Sequence, residues 1–257
     1  MQIFIPTCGR ATSSQQTTLA ALNEADLEPV LVVQAKEAEL YAHLPAVVRV
    51  LPEHITTIAP TRQYILAQWV VEPTFCMVDD DLVFFKRRND DRTKLADIYP
   101  SELSAAFREM EVMLLSVPHV GFAAREGANR DTDKLRWNTR IMRVLGYNTK
   151  VLRDFRIRFD RLEVMEDFDV ALQLLSKGSQ NVILNEYANN QAGSGKSGGC
   201  STFRTPELHA RNAYKLAELH PGLVSVVDKT TSGAWGGGTR KDVRVQWKKA
   251  LAGASDE

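Results

Sequence analysis

The sequence lacks the features that would place it in a membrane, an oxidising compartment or a zinc site. In its 257 residues no apolar run approaches the ~20 residues that cross a bilayer. Only Ile3-Phe4-Ile5 is apolar before Pro6, and no basic start precedes a long apolar stretch, so no secretory leader is expected. The three cysteines (Cys8, Cys76, Cys200) are odd in number and far apart. That favours reduced thiols and a cytoplasmic location over a disulfide framework. No Cys/His cluster has zinc-ligand spacing. Net charge is missing too: 32 basic side chains balance 32 acidic ones, so global charge does not point to a polyanion partner.

What is present is an ordinary globular mixture, 44% hydrophobic and 25% charged, in a length that suits one large domain with a well-developed insert. The charge is unevenly spread. Arg125 to Arg161 carries 11 bases against 5 acids, and the tail adds Lys229, Arg240, Lys241, Arg244, Lys248 and Lys249. Such runs mark either a polyanion surface or a solvated face.

The apolar pattern predicts strands at Gln2–Ile5, Val30–Val33 and Val47–Leu51, with helical character at Thr12–Ala25 and Glu37–Tyr41 between them. Alternation of this kind belongs to an α/β fold with a mostly parallel sheet, whose ligands bind at the carboxyl ends of strands. The turn Pro6-Thr7-Cys8-Gly9-Arg10 falls at one such end. A helix is expected over Thr61–Val70, a loop over Lys86–Asp97, a helix over Ser101–Ser116 with Ser101 as N-cap, and a strand from Val117. His119 reads as structural. Arg125–Arg140 reads as a loop-rich insert followed by strand-like pieces at Met142–Leu145 and Val151–Leu152. A helix over Met165–Gly178, a strand over Asn181–Tyr187 and a helix over Pro206–Leu219 follow. Gly233–Arg240 reads as a flexible basic loop and Val243–Ala250 as a closing helix.

Three stretches carry chemistry. In Phe75-Cys76-Met77-Val78-Asp79-Asp80-Asp81-Leu82, three consecutive carboxylates stand between apolar runs; they repel one another unless they are a solvated turn or meet a cation. A divalent metal holding a phosphorylated substrate would supply one. Arg62 falls near a helix start, where a cation is disfavoured by the dipole; it is either exposed or facing an anionic ligand. Glu166, Asp167 and Asp169 open a helix, either as capping acids or with a general base among them. Gly195-Lys196-Ser197 imitates a phosphate loop, but Asn190 stands where that motif needs glycine and Gly198-Gly199 interrupt the following helix. A loop closing over a ligand suits the segment better.

The order Pro6-Thr7-Cys8-Gly9-Arg10, Ala59-Pro60-Thr61-Arg62-Gln63, Asp79-Asp80-Asp81, Glu166-Asp167 resembles the layout of GT-A glycosyltransferases. There the aspartate cluster is the DXD motif and the later acid pair holds the catalytic base. Met165-Glu166-Asp167-Phe168-Asp169-Val170 and Gly198-Gly199-Cys200-Ser201-Thr202-Phe203-Arg204-Thr205 are similar to a narrower group, the TET-associated glycosyltransferases found largely in phages.

The resemblance implies a GT-A-like, Rossmann-like mixed sheet flanked by helices, with residues 1–100 as the nucleotide-sugar half, 101–190 as the acceptor-side half and 191–257 as flexible loop and basic tail. It implies Mn2+ or Mg2+ on Asp81, with Asp79 on the metal or the ribose and Asp80 nearby. Thr7, Gly9, Arg10 and Arg62 would line the nucleotide, while Lys196 and Arg204 would hold the diphosphate. Asp167 would act as base with Glu166 beside it. His209 and His220 are the available histidines for a third metal ligand.

The implied activity is transfer from a nucleotide-sugar, of the UDP-glucose type, onto hydroxymethylated pyrimidines in DNA, in the host cytoplasm if the chain is phage-encoded. Trp137 and the basic run would serve the acceptor by stacking and phosphate contact. The competing expectations are a GT-A enzyme acting on a glycan, lipid, protein or small molecule, and a noncatalytic nucleotide-sugar or nucleic-acid binding module.

Overall fold

The computed structural model describes residues 1–128, 131–191, 205–231 and 238–252. Lys196 and Arg204, with the glycine-rich segment between them, lie outside the described residues, as does most of the second glycine-rich loop.

The chain opens as β1 (Gln2–Pro6), α1 (Thr17–Glu24), β2 (Pro29–Val33) and β3 (Val47–Val50). It continues through α2 (Ile58–Tyr64), β4 (Thr74–Val78), the hairpin β5 (Leu82–Arg87) and β6 (Leu95–Asp97), and α3 (Pro100–Met113). Then come β7 (His119–Ala124), α4 (Arg125–Ala128), β8 (Leu135–Trp137), β9 (Val144–Asn148), α5 (Thr149–Asp154), α6 (Glu166–Leu175) and β10 (Asn181–Gln191). The last elements are α7 (Pro206–Leu219), β11 (Val224–Thr231), β12 (Gly238–Val245) and α8 (Trp247–Ala252).

The main sheet has the order β3-β2-β1-β4-β9-β7-β10-β5-β6, with β8 also on β10. β1, β2, β3 and β4 pair in parallel, as do β7 and β10, while β9 runs antiparallel between β4 and β7. β11 and β12 form a separate antiparallel hairpin.

Period-two alternation assigns the two faces. Ile3, Ile5, Cys76 and Val78 point into one core with Leu19 and Leu22 of α1 and Leu103, Phe107 and Met110 of α3. Phe4, Phe75 and Met77 point into the other, against Leu152 of α5 and Val170 and Leu174 of α6. A third cluster joins Leu162, Val164, Met165, Leu172 and Leu175 to Ala213 and Leu216 of α7, Val224 of β11 and Ala250 of α8.

Two glycines let the antiparallel strand insert between parallel ones. A Cβ on Gly121 would stand 2.1 Å from Ile141 Cγ2, and one on Gly146 would stand 2.6 Å from Met110 Sδ. Beside them His119 is fully buried, stacked on Tyr147 at 4.3 Å, with Nδ1 2.9 Å from the Gly146 carbonyl. Its structural reading is borne out. Burial pushes its imidazole down to about 4.

Several expected boundaries move, each through a contact distant in sequence or a local cap. The segment from Lys86 to Asp97 is not all loop: β5 runs to Arg87, whose buried guanidinium donates to the Asn185 carbonyl (2.7 Å), and β6 closes the hairpin. Val151 and Leu152 lie in a helix rather than a strand, because the Asn148 side chain caps it by accepting from Val151 N (3.1 Å). α3 starts at Pro100 with Tyr99 as N-cap, not Ser101; the Tyr99 N–H donates to Glu102 (2.9 Å). α2 starts at Ile58 and passes into a π-turn at Ile65–Trp69. Val243 and Val245 extend β12, and the closing helix begins only at Trp247.

Candidate active site

The site forms where the ends of β1 and β4 meet the start of α6. After Val78 the chain turns through Asp79-Asp80-Asp81, and neighbouring groups fix its backbone. Asp79 N–H donates to the Arg143 carbonyl (2.9 Å); the Thr18 hydroxyl donates to the Asp79 carbonyl (2.6 Å) and accepts from Leu82 N–H (2.8 Å). The three carboxylates meet different partners.

Asp80 points inward. It is buried, accepts from Thr7 Oγ1 (2.5 Å) and pairs with Arg10. Thr7 in turn accepts from Gln16 Nε2 (2.8 Å), and Arg10 N–H donates to the Tyr41 hydroxyl (3.1 Å). Gly9, at φ 67°, donates its N–H to Glu37 (2.7 Å). The turn Thr7–Arg10 therefore directs these donors to the protein's own acids.

Asp79 pairs with Arg62 at 3.1 Å, and Arg62 also binds Glu166 at 2.5 Å. The sequence leaves Arg62 either exposed or facing a ligand; it is buried and faces two carboxylates of the chain. Burial would lower its guanidinium, but Glu166 and Asp79 outweigh that and hold it above the ordinary value. Desolvation pushes Asp79 up to about 6 against the pull of Arg62, with Asp81, Asp80 and Glu166 adding to the rise.

Asp81 gives one oxygen to Arg10 (3.1 Å), while its Oδ1 is buried with no hydrogen-bond partner among the described residues. A buried carboxylate oxygen without a donor is costly. A divalent cation would relieve that oxygen, although no group of three metal-ligating side chains is assembled around it among the described residues.

The acids opening α6 also separate. The helix follows Met165, held at φ 67°. Glu166 goes to Arg62. Asp167 accepts from Arg140 Nε (2.8 Å) and lies 2.7 Å from its Nη2, and the Arg140 guanidinium covers the Phe168 ring at 3.9 Å. Asp169 is wholly buried, taking Arg161 (2.9 Å), His220 (2.7 Å) and Gln173 (2.9 Å). Burial would raise its carboxyl, but Arg161 and His220 win and hold it below the ordinary value.

His220 is thus committed to Asp169, and His209 lies 3.9 Å from Asp242. Among the described residues no group of three His, Cys, Asp or Glu side chains is arranged to hold a metal ion, so neither histidine joins the aspartate turn in such a cluster.

The basic run Arg125–Arg161 is largely engaged within the chain. Arg136, Arg140, Arg143, Lys150, Arg158 and Arg161 all form ion pairs, and Arg153 donates to the Val70 carbonyl. Trp137 on β8 is 40% exposed. Beside Asp167 lies a cavity of about 560 Å³, bounded by Arg140, Met165 and Phe168 on one side and by His209 and the β11–β12 hairpin on the other.

Sequence reasoning missed Thr18, Gln16, Tyr41 and the Asp169–His220–Arg161 network. It noticed Arg140 only as one of eleven bases. The helix-entry spacing of Asp169 was the sole local signal for its network.

A mostly parallel α/β sheet with an acidic turn at one strand end, tied through a buried arginine to an acid pair at a helix entrance, is the layout of the GT-A glycosyltransferase fold. The sequence pattern of the TET-associated glycosyltransferases matches residues 1–199, and the chain belongs to that family.

Among solved structures, the mannosyltransferase PcManGT from Pyrobaculum calidifontis, in complex with GDP-Man and Mn2+, superimposes with a TM-score of 0.54 at 13% identity. The match covers 85% of this chain and 62% of that one. GalNAc-T7 with UDP, GalNAc and Mn2+ gives a TM-score of 0.49 at 10% identity, covering 84% and 48%. At this identity the likeness concerns the fold. The chain spans about 62% of the mannosyltransferase. No curated protein matches the sequence. No helix among the described residues is long and apolar enough to cross a membrane.

Proposed function

We propose that the protein transfers a sugar from a nucleotide-sugar donor, of the UDP-sugar type, to the hydroxyl of a hydroxymethylated pyrimidine in DNA. Family membership supports the reaction class. The observation that carries the site is the Arg62 bridge, which ties the Asp79 turn to Glu166 next to Asp167. It sets a donor corner, built from residues 1–100, against a base in the acceptor half, 101–190.

In this reading the acceptor oxygen attacks the anomeric carbon as the bond to the diphosphate oxygen breaks. The diphosphate leaves with the electron pair, and Asp167 takes the acceptor proton. Direct displacement inverts the sugar carbon. An alcohol is a weak nucleophile at neutral pH, so a carboxylate within hydrogen-bond reach is required.

Asp81, through its unpartnered oxygen, and then Asp79 would hold Mn2+ or Mg2+. Such an ion neutralises charge on the departing diphosphate. Thr7 and Arg10 fix Asp80 and Asp81, Gly9 ties the turn to Glu37, and Arg62 holds Asp79 and Glu166 in register. Lys196 and Arg204, outside the described residues, would add positive charge to the diphosphate.

Arg140 has a defined part. Its guanidinium holds one Asp167 oxygen, Oδ2, through Nε (2.8 Å) and Nη2 (2.7 Å). In this reading Arg140 orients the carboxylate so that its other oxygen can meet the acceptor hydroxyl.

The test is nucleotide release from a panel of nucleotide-sugars with manganese, with and without DNA containing hydroxymethylcytosine, followed by nucleoside analysis of the DNA. Sugar-bearing pyrimidine with stoichiometric nucleotide release is the expected result. Release without any modified nucleoside overturns the acceptor assignment, and no release with any donor overturns the transferase reading.

A further inference from the structure

The match to the family ends at residue 199, yet the cavity beside Asp167 is closed largely by residues after that point. His209 of α7, Val227 and Lys229 of β11, and Val243 and Arg244 of β12 form its far wall. We propose that the C-terminal segment is the acceptor-recognition lobe, and that this cavity receives the everted pyrimidine nucleotide whose hydroxymethyl group faces Asp167. The inference rests on the transferase reading above and deepens it by naming the parts that choose the acceptor.

The lobe is built onto the segment carrying the base. Ala213, Leu216, Val224 and Ala250 share one apolar cluster with Leu162, Val164, Met165, Leu172 and Leu175. Phe168 stacks on Trp247 with ring centroids 6.0 Å apart. The Asn212 side chain accepts from Glu163 N–H (2.9 Å), Arg211 pairs with Glu163 (2.6 Å), and His220 binds Asp169 (2.7 Å). These contacts flank Asp167 on both sides in sequence. The position of the hairpin relative to the carboxylate is set by packing, as a specificity wall requires.

The lining suits one nucleotide. About 560 Å³ falls within the usual range for a small-ligand pocket. Val227 and Val243 offer apolar contact to a flat ring. Asp228, paired with Lys241, and Asp242, paired with Lys229 and Arg240, give the wall its polar part, and Asp167 lies within the same lining. The cations Arg140, Lys229, Arg240 and Arg244 leave the pocket close to neutral against its three acids, which favours an uncharged base over a free phosphate.

Flanking phosphates need a cation without an internal partner. Arg244 is exposed and makes no ion pair among the described residues, whereas Lys229 and Arg240 both pair with Asp242. A base inside a duplex reaches such a pocket only by rotating out of the stack. Asp167 and Arg140 are on the wall nearer the donor corner, so the everted base would present its substituent to the carboxylate and its phosphates to Arg244.

The test uses the full chain with two variants in the lobe. Val227→Trp fills the cavity; Arg244→Gln removes one phosphate contact. Steady-state transfer is measured against hydroxymethylated DNA and against donor separately, with thermal unfolding to confirm that both variants fold.

Val227→Trp is expected to lower kcat/KM for DNA by about a hundredfold or more with the donor KM within about twofold of the parent, the pattern of a lost acceptor contact. Arg244→Gln is expected to flatten the slope of log KM for DNA against log salt by about 1. Folded variants with unchanged DNA parameters overturn the lobe assignment while the parent's transfer activity leaves the function standing. A parent that hydrolyses donor but never modifies such DNA overturns the acceptor reading itself, and the lobe assignment with it.

Discussion

The corner around Asp79 and the cavity beside Asp167 satisfy their charges differently. In the corner, two arginines serve four carboxylates: Arg10 takes Asp80 and Asp81, and Arg62 takes Asp79 and Glu166. The acids outnumber the bases, one buried oxygen of Asp81 is left over, and Asp79 is pushed up to about 6. In the cavity, four cations face three acids across a roomy, partly apolar space. An acid-rich, tightly paired corner invites a cation; a balanced, open cavity invites a neutral ring with charged flanks. The corner lies within the family's matched region, whereas most of the cavity wall lies beyond it.

The comparison can be broken most sharply at the two carboxylates that face its halves. Asp167→Asn should lower transfer by about a thousandfold while donor still binds, as read by single-turnover kinetics beside donor-binding calorimetry. Asp81→Asn should lower donor turnover itself by about a hundredfold, with or without acceptor, and should weaken manganese binding followed by electron paramagnetic resonance. Equal effects of both changes on donor hydrolysis would erase the distinction between the regions.

The seam between them is Arg62. Arg62→Met leaves the buried Glu166 and the half-buried Asp79 without their cation and should cost about 3 kcal/mol of stability, measured by urea unfolding. Activity should fall in both halves together. A stability loss below about 1 kcal/mol would mean that the bridge is not what holds the regions in register.

A smaller effect comes from His119, which belongs to neither region. Its imidazole is neutral when folded because Nδ1–H donates to the Gly146 carbonyl while Nε2 is buried with no partner among the described residues. Protonation would bury an unpaired cation. With its folded value down to about 4, against about 6.5 in an unfolded chain, the unfolded state binds more protons between these pH values. Stability is therefore full above about pH 6.5 and falls as pH drops toward 4, by about 3 kcal/mol at most. His119→Phe should flatten that dependence in unfolding titrations monitored by circular dichroism, while both halves of the site keep their separate behaviour at pH 7.

Motifs whose meaning is local were legible in the chain. The strand before Asp79, the helix after Glu166 and the glycine stop at Gly178 follow from short-range periodicity and capping. The order of the four motifs was enough to indicate the fold class that the sheet displays. Two of the errors lie beyond the reach of a local pattern. The β5–β6 hairpin depends on Arg87 reaching Asn185, 98 residues away, and the β11–β12 hairpin on a pairing whose strands are linked through a glycine-rich stretch. In the basic segment charge was countable but partners were not: most of its bases are bound to acids of the same chain.

By itself, then, the sequence determined which stretches are strands and helices around the acids, since hydrophobic period and turn chemistry act over a few residues. Only the tertiary structure decided what each acid does. Asp80 is tied to Thr7 and Arg10 across about 70 positions, Glu166 to Arg62 across 104, and Asp169 to His220 across 51. Partners so far apart meet because burial of two apolar faces folds the sheet and helices together, and no local pattern encodes which charge will then find which.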